Sequence, residues 1–121
     1  MSKRILVVED QDDNRRILRD LLTASGYELI EAVDGEQGLA AAQKERPDLI
    51  LMDIQLPVMD GYEATRRIKA DPASSSIPII AVTSYALSGD EEKARAAGCN
   101  DFVPKPYSPR QLLAKIRQYL D

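Results

Sequence analysis

Four short runs of aliphatic residues, none alternating with polar ones, constrain this chain more than anything else in it. They are Ile5-Leu6-Val7-Val8, a weaker run from Glu28 to Ala32, Leu49-Ile50-Leu51-Met52, and Ile79-Ile80-Ala81-Val82. A strand with one wet face alternates, so unalternating runs of this length belong to strands covered on both faces. That is the condition of a parallel sheet between two layers of helices. Runs this short fall well below the roughly 20 apolar residues that cross a bilayer, so no membrane insertion is expected. A fifth candidate strand, Asp101 to Pro104, holds the only phenylalanine, Phe102.

Helical patterns with readable ends fill the gaps. After Asp12 the residues Ile17, Leu18, Leu21 and Leu22 recur at helical spacing, and Ser25-Gly26 stops them. Asp34-Gly35-Glu36-Gln37 caps a second helix that ends before Pro47, and Asp60-Gly61-Tyr62-Glu63 reads as a capping box for a third, ended near Asp71-Pro72. Ser88-Gly89-Asp90-Glu91 opens a fourth, closed at Gly98, that offers only Ala94, Ala96 and Ala97 to a core. Ser108-Pro109-Arg110-Gln111 opens a fifth, with the stripe Leu112, Leu113, Ile116, Tyr119 and Leu120. Strand and helix thus alternate five times at about 24 residues each, which specifies a doubly wound α/β domain. The 121 residues are expected to form a single domain over 1–121 with no output domain.

Composition removes several functions. There is no histidine, so a Ser-His-Asp hydrolase is excluded. The single cysteine, Cys99, forms neither an internal disulfide nor a zinc site and reads as a small core residue. Sixteen basic against 20 acidic residues give a formal charge of −4, the wrong sign for neutralising DNA phosphates, so no direct nucleic-acid binding is expected. The first aliphatic run begins directly after Met1-Ser2-Lys3-Arg4, with no room for a secretory signal, which predicts a cytoplasmic protein.

In an open parallel sheet the ligand site lies beyond the carboxyl ends of the strands, where loops and helix N-termini converge. Here those ends carry Glu9-Asp10, Asp53, Thr83 and Lys105-Pro106. Singly, an acid there is a helix cap, a threonine a strand residue and a lysine a solvated one. Together they place three carboxylates, a hydroxyl and an amine in one crevice. Crowded carboxylates call for a hard cation with oxygen ligands, and Mg²⁺ fits best, with Mn²⁺ as an alternative ion. A carboxylate beside a divalent ion, a lysine and a hydroxyl describes phosphoryl transfer onto Asp53, and no general base is needed because the carboxylate is already ionised.

The ordered segments Ile5-Leu6-Val7-Val8-Glu9-Asp10, Asp48 to Pro57 around Asp53, Met59-Asp60-Gly61, Ala81-Val82-Thr83 and Lys105-Pro106 resemble the receiver domain of two-component response regulators, of the stand-alone kind. The resemblance runs from Arg4 to Leu120 and implies a flavodoxin-like fold with strand order 2-1-3-4-5. It implies that Asp53 accepts a phosphoryl group from a sensor histidine kinase or histidine phosphotransferase. Glu9, Asp10, Asp53 and the backbone carbonyl of Gln55 would bind the metal, and Lys105 would pair with the phosphate. Thr83 and Phe102 would form the switch that reports phosphorylation to a downstream protein target, and Pro106 would follow a cis peptide bond. Such a domain is a phosphoacceptor with slow intrinsic autophosphatase activity, not a dedicated enzyme.

In this family the positions two after the phosphoacceptor and two after the threonine set the hydrolysis rate. Gln55 and Tyr85 occupy them, neither a carboxylate that could activate water, which predicts a phosphate lifetime of minutes or longer. Ser84 adds a hydroxyl beside Thr83. Arg15, Arg16 and Arg19 form either a solvated charged face or a dock for the kinase. The fourth helix, the Phe102 strand and the last helix are the expected output face. Haloacid-dehalogenase-type phosphatases need an acid where Gln55 stands, and the acidic run from Glu9 to Asp13 would repel a flavin phosphate. Whether the domain regulates a partner, relays phosphate to a histidine phosphotransferase or acts as a phosphate sink stays open at this level.

Overall fold

The computed structural model describes residues 3–83 and 90–120. Among these, five parallel strands, β1 (Arg4–Val8), β2 (Glu28–Ala32), β3 (Leu49–Asp53), β4 (Ile79–Thr83) and β5 (Asp101–Pro104), form one sheet in the order β2-β1-β3-β4-β5. The helices α1 (Asp12–Ala24), α2 (Gly35–Glu45), α3 (Gly61–Ala70), α4 (Asp90–Ala97) and α5 (Pro109–Leu120) connect and follow them. This is the doubly wound arrangement that the strand runs predict, in the flavodoxin-like strand order that the resemblance implies. Ser84, Tyr85 and the Ser88-Gly89 start of the fourth capping box lie outside the described residues.

The lack of alternation in the strands has a direct cause. Ile5, Val7, Leu49, Leu51, Ile80 and Val103 point into a core shared with Leu18 and Leu22 of α1 and Leu112 and Ile116 of α5. Their neighbours Leu6, Val8, Ile50, Met52, Ile79, Ala81 and Phe102 point the other way, into a core with α2, α3 and α4. Successive side chains of a strand face opposite sides, and here both sides are dry. β2 is one of the two edge strands and only Ala32 in it is buried, which explains its weaker sequence signal.

Capping follows the local chemistry. Asp34 and Asp60 each accept the backbone N–H three residues on, from Gln37 at 2.7 Å and Glu63 at 2.9 Å. Glu63 does not complete a reciprocal box; its carboxylate binds Arg66 and Arg67 instead. Ser108 and Gln111 do make the two-way box, at 3.0 and 3.3 Å. In α4 the buried residues are Ala94 and Ala97, while Ala96 is exposed, contrary to the expected three-alanine face. At 100° per residue, position 96 lies 200° from position 94, on the far side of the helix.

Candidate functional site

Each predicted chemical residue sits at the carboxyl edge of a strand or within two residues past it. Asp53 ends β3, Thr83 ends β4, Glu9 and Asp10 follow β1, and Lys105 follows β5. Glu9, Asp10 and Asp53 each offer a carboxylate oxygen within 4.8 Å of the others. They line, with Asn14, Gln55 and Lys105, a polar cavity of about 380 Å³. Gly61, which opens α3, lets that helix press on the nucleophile's own backbone: a Cβ there would lie 2.3 Å from the Asp53 carbonyl oxygen.

Asp53 is only 6% exposed and accepts the Gln55 N–H at 3.1 Å. The Lys105 ammonium lies 3.1 Å from Glu9 Oε1 and 3.5 Å from Asp53 Oδ2, so one amine serves two buried acids and sits nearer to Glu9. Burial, then the charge of Glu9, pushes the Asp53 carboxyl up from 3.8 to about 6, against the pull of Lys105. Burial also opposes ionisation of Glu9, but the Gln11 N–H at 3.0 Å and the Lys105 ammonium overcome it and hold Glu9 below the usual range. Desolvation and the neighbouring Glu9 raise Asp10. Within this crowded group the surroundings therefore work against the Asp53 anion and favour that of Glu9.

Thr83 is buried at the end of β4, and its carbonyl accepts the Lys105 N–H at 2.6 Å. The Lys105–Pro106 peptide bond is cis. Phe102 pairs in register with Ala81 and its ring is buried in the α2–α3–α4 core. Tyr85 lies outside the described residues.

Beside the acidic cavity, a second cleft of about 620 Å³ runs between α1 and the loop after β5, lined mainly by Ile17, Leu21, Pro106, Tyr107 and Pro109. Ile17, read from the sequence as part of the core stripe, is 59% exposed there. The signal was present in the pattern: Ile17, Leu18, Leu21 and Leu22 make two i,i+4 pairs, and Leu18-Leu22 alone is buried. Tyr107 was not singled out by sequence; burial, then the charges of Glu9 and Asp53, raises its phenol pKa. Of the three arginines, Arg15 and Arg19 are engaged with Glu31 of β2, while Arg16 makes a loose, exposed pair with Asp13.

A doubly wound sheet whose carboxyl edge gathers three acids, an amine and a threonine defines an α/β domain of the receiver type. The chain belongs to the response regulator receiver family: the family's receiver-domain profile matches residues 5–117. The polar-differentiation response regulators DivK of Brucella anthropi and Brucella ovis are 46% and 45% identical to it over 120 residues, covering 99% of this chain and 98% of theirs. The receiver domain of sensor histidine kinase PA1611 from Pseudomonas aeruginosa superimposes with a TM-score of 0.92 at 39% identity, over 99% of this chain and 98% of that one. That structure has a magnesium ion coordinated in its active-site cleft. Chemotaxis protein CheY4 of Vibrio cholerae gives a TM-score of 0.92 at 29% identity over 98% and 99% of the two chains. Receiver domains serve two-component signalling and are not, as a class, dedicated enzymes. Among the described residues, no helix is long and apolar enough to cross a membrane.

Proposed function

We propose that this receiver domain accepts a phosphoryl group on Asp53 from the phosphohistidine of a cytoplasmic histidine kinase or phosphotransferase, with Mg²⁺, and signals by phosphorylation-dependent binding of a downstream protein. The observation that carries the reading is the placement of Asp53: a buried carboxylate with an ammonium at 3.5 Å and two further acids within 4.8 Å. The donor set suits a hard cation, because the oxygens converge and a cation between them offsets both the burial and the mutual repulsion that disfavour the Asp53 anion. Glu9, Asp10, Asp53 and the Gln55 carbonyl would hold the ion. When bound, it supplies positive charge against the phosphoryl oxygens.

In the transfer, an Asp53 oxygen forms a bond to phosphorus as the donor's N–P bond breaks, and the electron pair returns to the imidazole nitrogen. Asp53 must be ionised to attack. Lys105 turns from Glu9 toward the incoming phosphoryl oxygens, and the Thr83 hydroxyl donates to one of them. Phe102, one strand away, is placed to respond when Thr83 moves. The apolar cleft at Ile17, Leu21 and Tyr107 adjoins the acidic cavity and suits a helical partner carrying the phosphohistidine. Arg15 and Arg19 are engaged within the domain, so apolar contact carries the docking more than charge does.

The test is phosphorylation with acetyl phosphate and Mg²⁺, followed by intact mass. One phosphoryl group per chain is expected for the wild type and none for Asp53→Asn. With Gln55 and Tyr85 at the rate-setting positions, the label should persist for minutes or longer. Equal labelling of Asp53→Asn would remove the assignment of the acceptor, and loss of label within seconds would remove the slow-hydrolysis reading. Rapid return of the phosphate to a histidine phosphotransferase would favour a relay.

A further inference from the structure

The two acids of the β1–α1 loop are held from behind by a residue with no place in the chemistry so far. Arg15, one turn into α1, is 12% exposed at its side chain. Its Nη1 donates to the Glu9 carbonyl oxygen at 2.9 Å, its other terminal nitrogen bonds Asp12, and its Nε lies 3.5 Å from Glu31 Oε1. Glu31 is itself fixed: Arg19, one turn further along α1, makes two bonds to it at 2.8 Å each. Those contacts hold the Glu31 carboxyl below the usual range. A planar guanidinium thereby joins the end of β1, the first turn of α1 and the edge strand β2.

The carbonyl that Arg15 grips belongs to the Glu9–Asp10 peptide, so its direction sets where both flanking side chains leave the backbone. The Glu9 and Asp10 carboxylates come from adjacent residues, and in a strand such neighbours point apart. Bringing both to within 4.8 Å of Asp53 requires this peptide to be held in one orientation. We propose that Arg15, seated by Glu31, is a positioning residue that fixes the Glu9–Asp10 peptide and so preorganises the cation site. The proposal rests on the Mg²⁺ reading above. It requires no contact between Arg15 and the ion.

The sign of the effect separates positioning from plain electrostatics. Removing a positive charge beside an acidic site would, by Coulomb interaction alone, tighten binding of a cation. Loss of positioning weakens it, and outer residues that orient ligands are typically worth 10-fold to 100-fold in metal affinity.

The experiment is a MgCl2 titration of the unphosphorylated protein followed by amide shifts in two-dimensional ¹H–¹⁵N NMR, which also reports whether each variant is folded. Arg15→Gln should weaken Mg²⁺ binding by about tenfold or more. Arg16→Gln, which removes the same charge from the same helix at an exposed site, should change it less than about twofold. Arg15→Lys keeps the charge but loses the fork, and should weaken binding by about threefold or more. If Arg15→Gln does not fold, Arg15→Lys decides. Unchanged or tighter binding in a folded Arg15 variant overturns the positioning role alone. No Mg²⁺ binding by the wild type overturns this proposal together with the metal reading beneath it.

Discussion

At Asp53 one carboxyl carries two opposed demands, burial that favours its neutral form and the proposed phosphoryl transfer, which needs its anion. Its pKa is raised in the folded state to about 6, so it binds its proton more tightly folded than unfolded. The stability from that proton is fully present below about 3.8 and is lost as the pH rises through about 6. Glu9 runs the other way and offsets part of the loss. Without Mg²⁺, Asp53→Asn should therefore be more stable than the wild type by about 1 to 3 kcal/mol at pH 7.5, with the gain shrinking to a few tenths near pH 4. Urea unfolding at the two pH values measures this, and an equal gain at both would rule out titration of Asp53 as the cause. The residue types were legible in the sequence because Glu9, Asp10, Asp53 and Lys105 fall where strands end. That Lys105 sits nearer Glu9, and that Arg15 of α1 reaches Glu31 of β2, were not, since side-chain direction and contacts between elements leave no local pattern.

At the scale of elements, α4 is held less firmly than its neighbour α3. It buries Ala94 and Ala97, whereas α3 in the same layer buries Ala64, Thr65 and Ile68. Replacing a Leu-sized or Ile-sized chain by a methyl gives up on the order of 1 to 2 kcal/mol of burial. Amide hydrogen exchange should show α4 opening at a free energy at least about 1 kcal/mol below α3. Uniform protection across both helices would remove the case for α4 as the yielding part of an output face. Element boundaries were readable to within a residue or so, because Gly26, Pro47, Gly98 and the Asp and Ser caps act locally. The start of α1 was harder: Gln11 occupies the cap without a side-chain bond, and Asp12 and Asp13 mark the first turn by charge alone. The wide apolar stripe of α1 was visible as well, but the burial of only half of it depends on what packs opposite.

Taken as one molecule, the domain should be stabilised by whatever neutralises its acidic edge. Mg²⁺ at ten times its dissociation constant would add about 1.4 kcal/mol, or roughly 5 to 6 °C in Tm for a domain of this size. Asp10→Asn should abolish most of that shift, and differential scanning calorimetry with and without MgCl2 measures both. A shift that survives the substitution would place the ion elsewhere. The sheet also has a consequence for stoichiometry. The cleft at Ile17 and Tyr107 opens from the α1 side, while α4 packs on the reverse of the same five strands. A partner seated in the cleft thus leaves the α2–α3–α4 layer uncovered, so a donor and a reader bound on opposite layers need not compete for room.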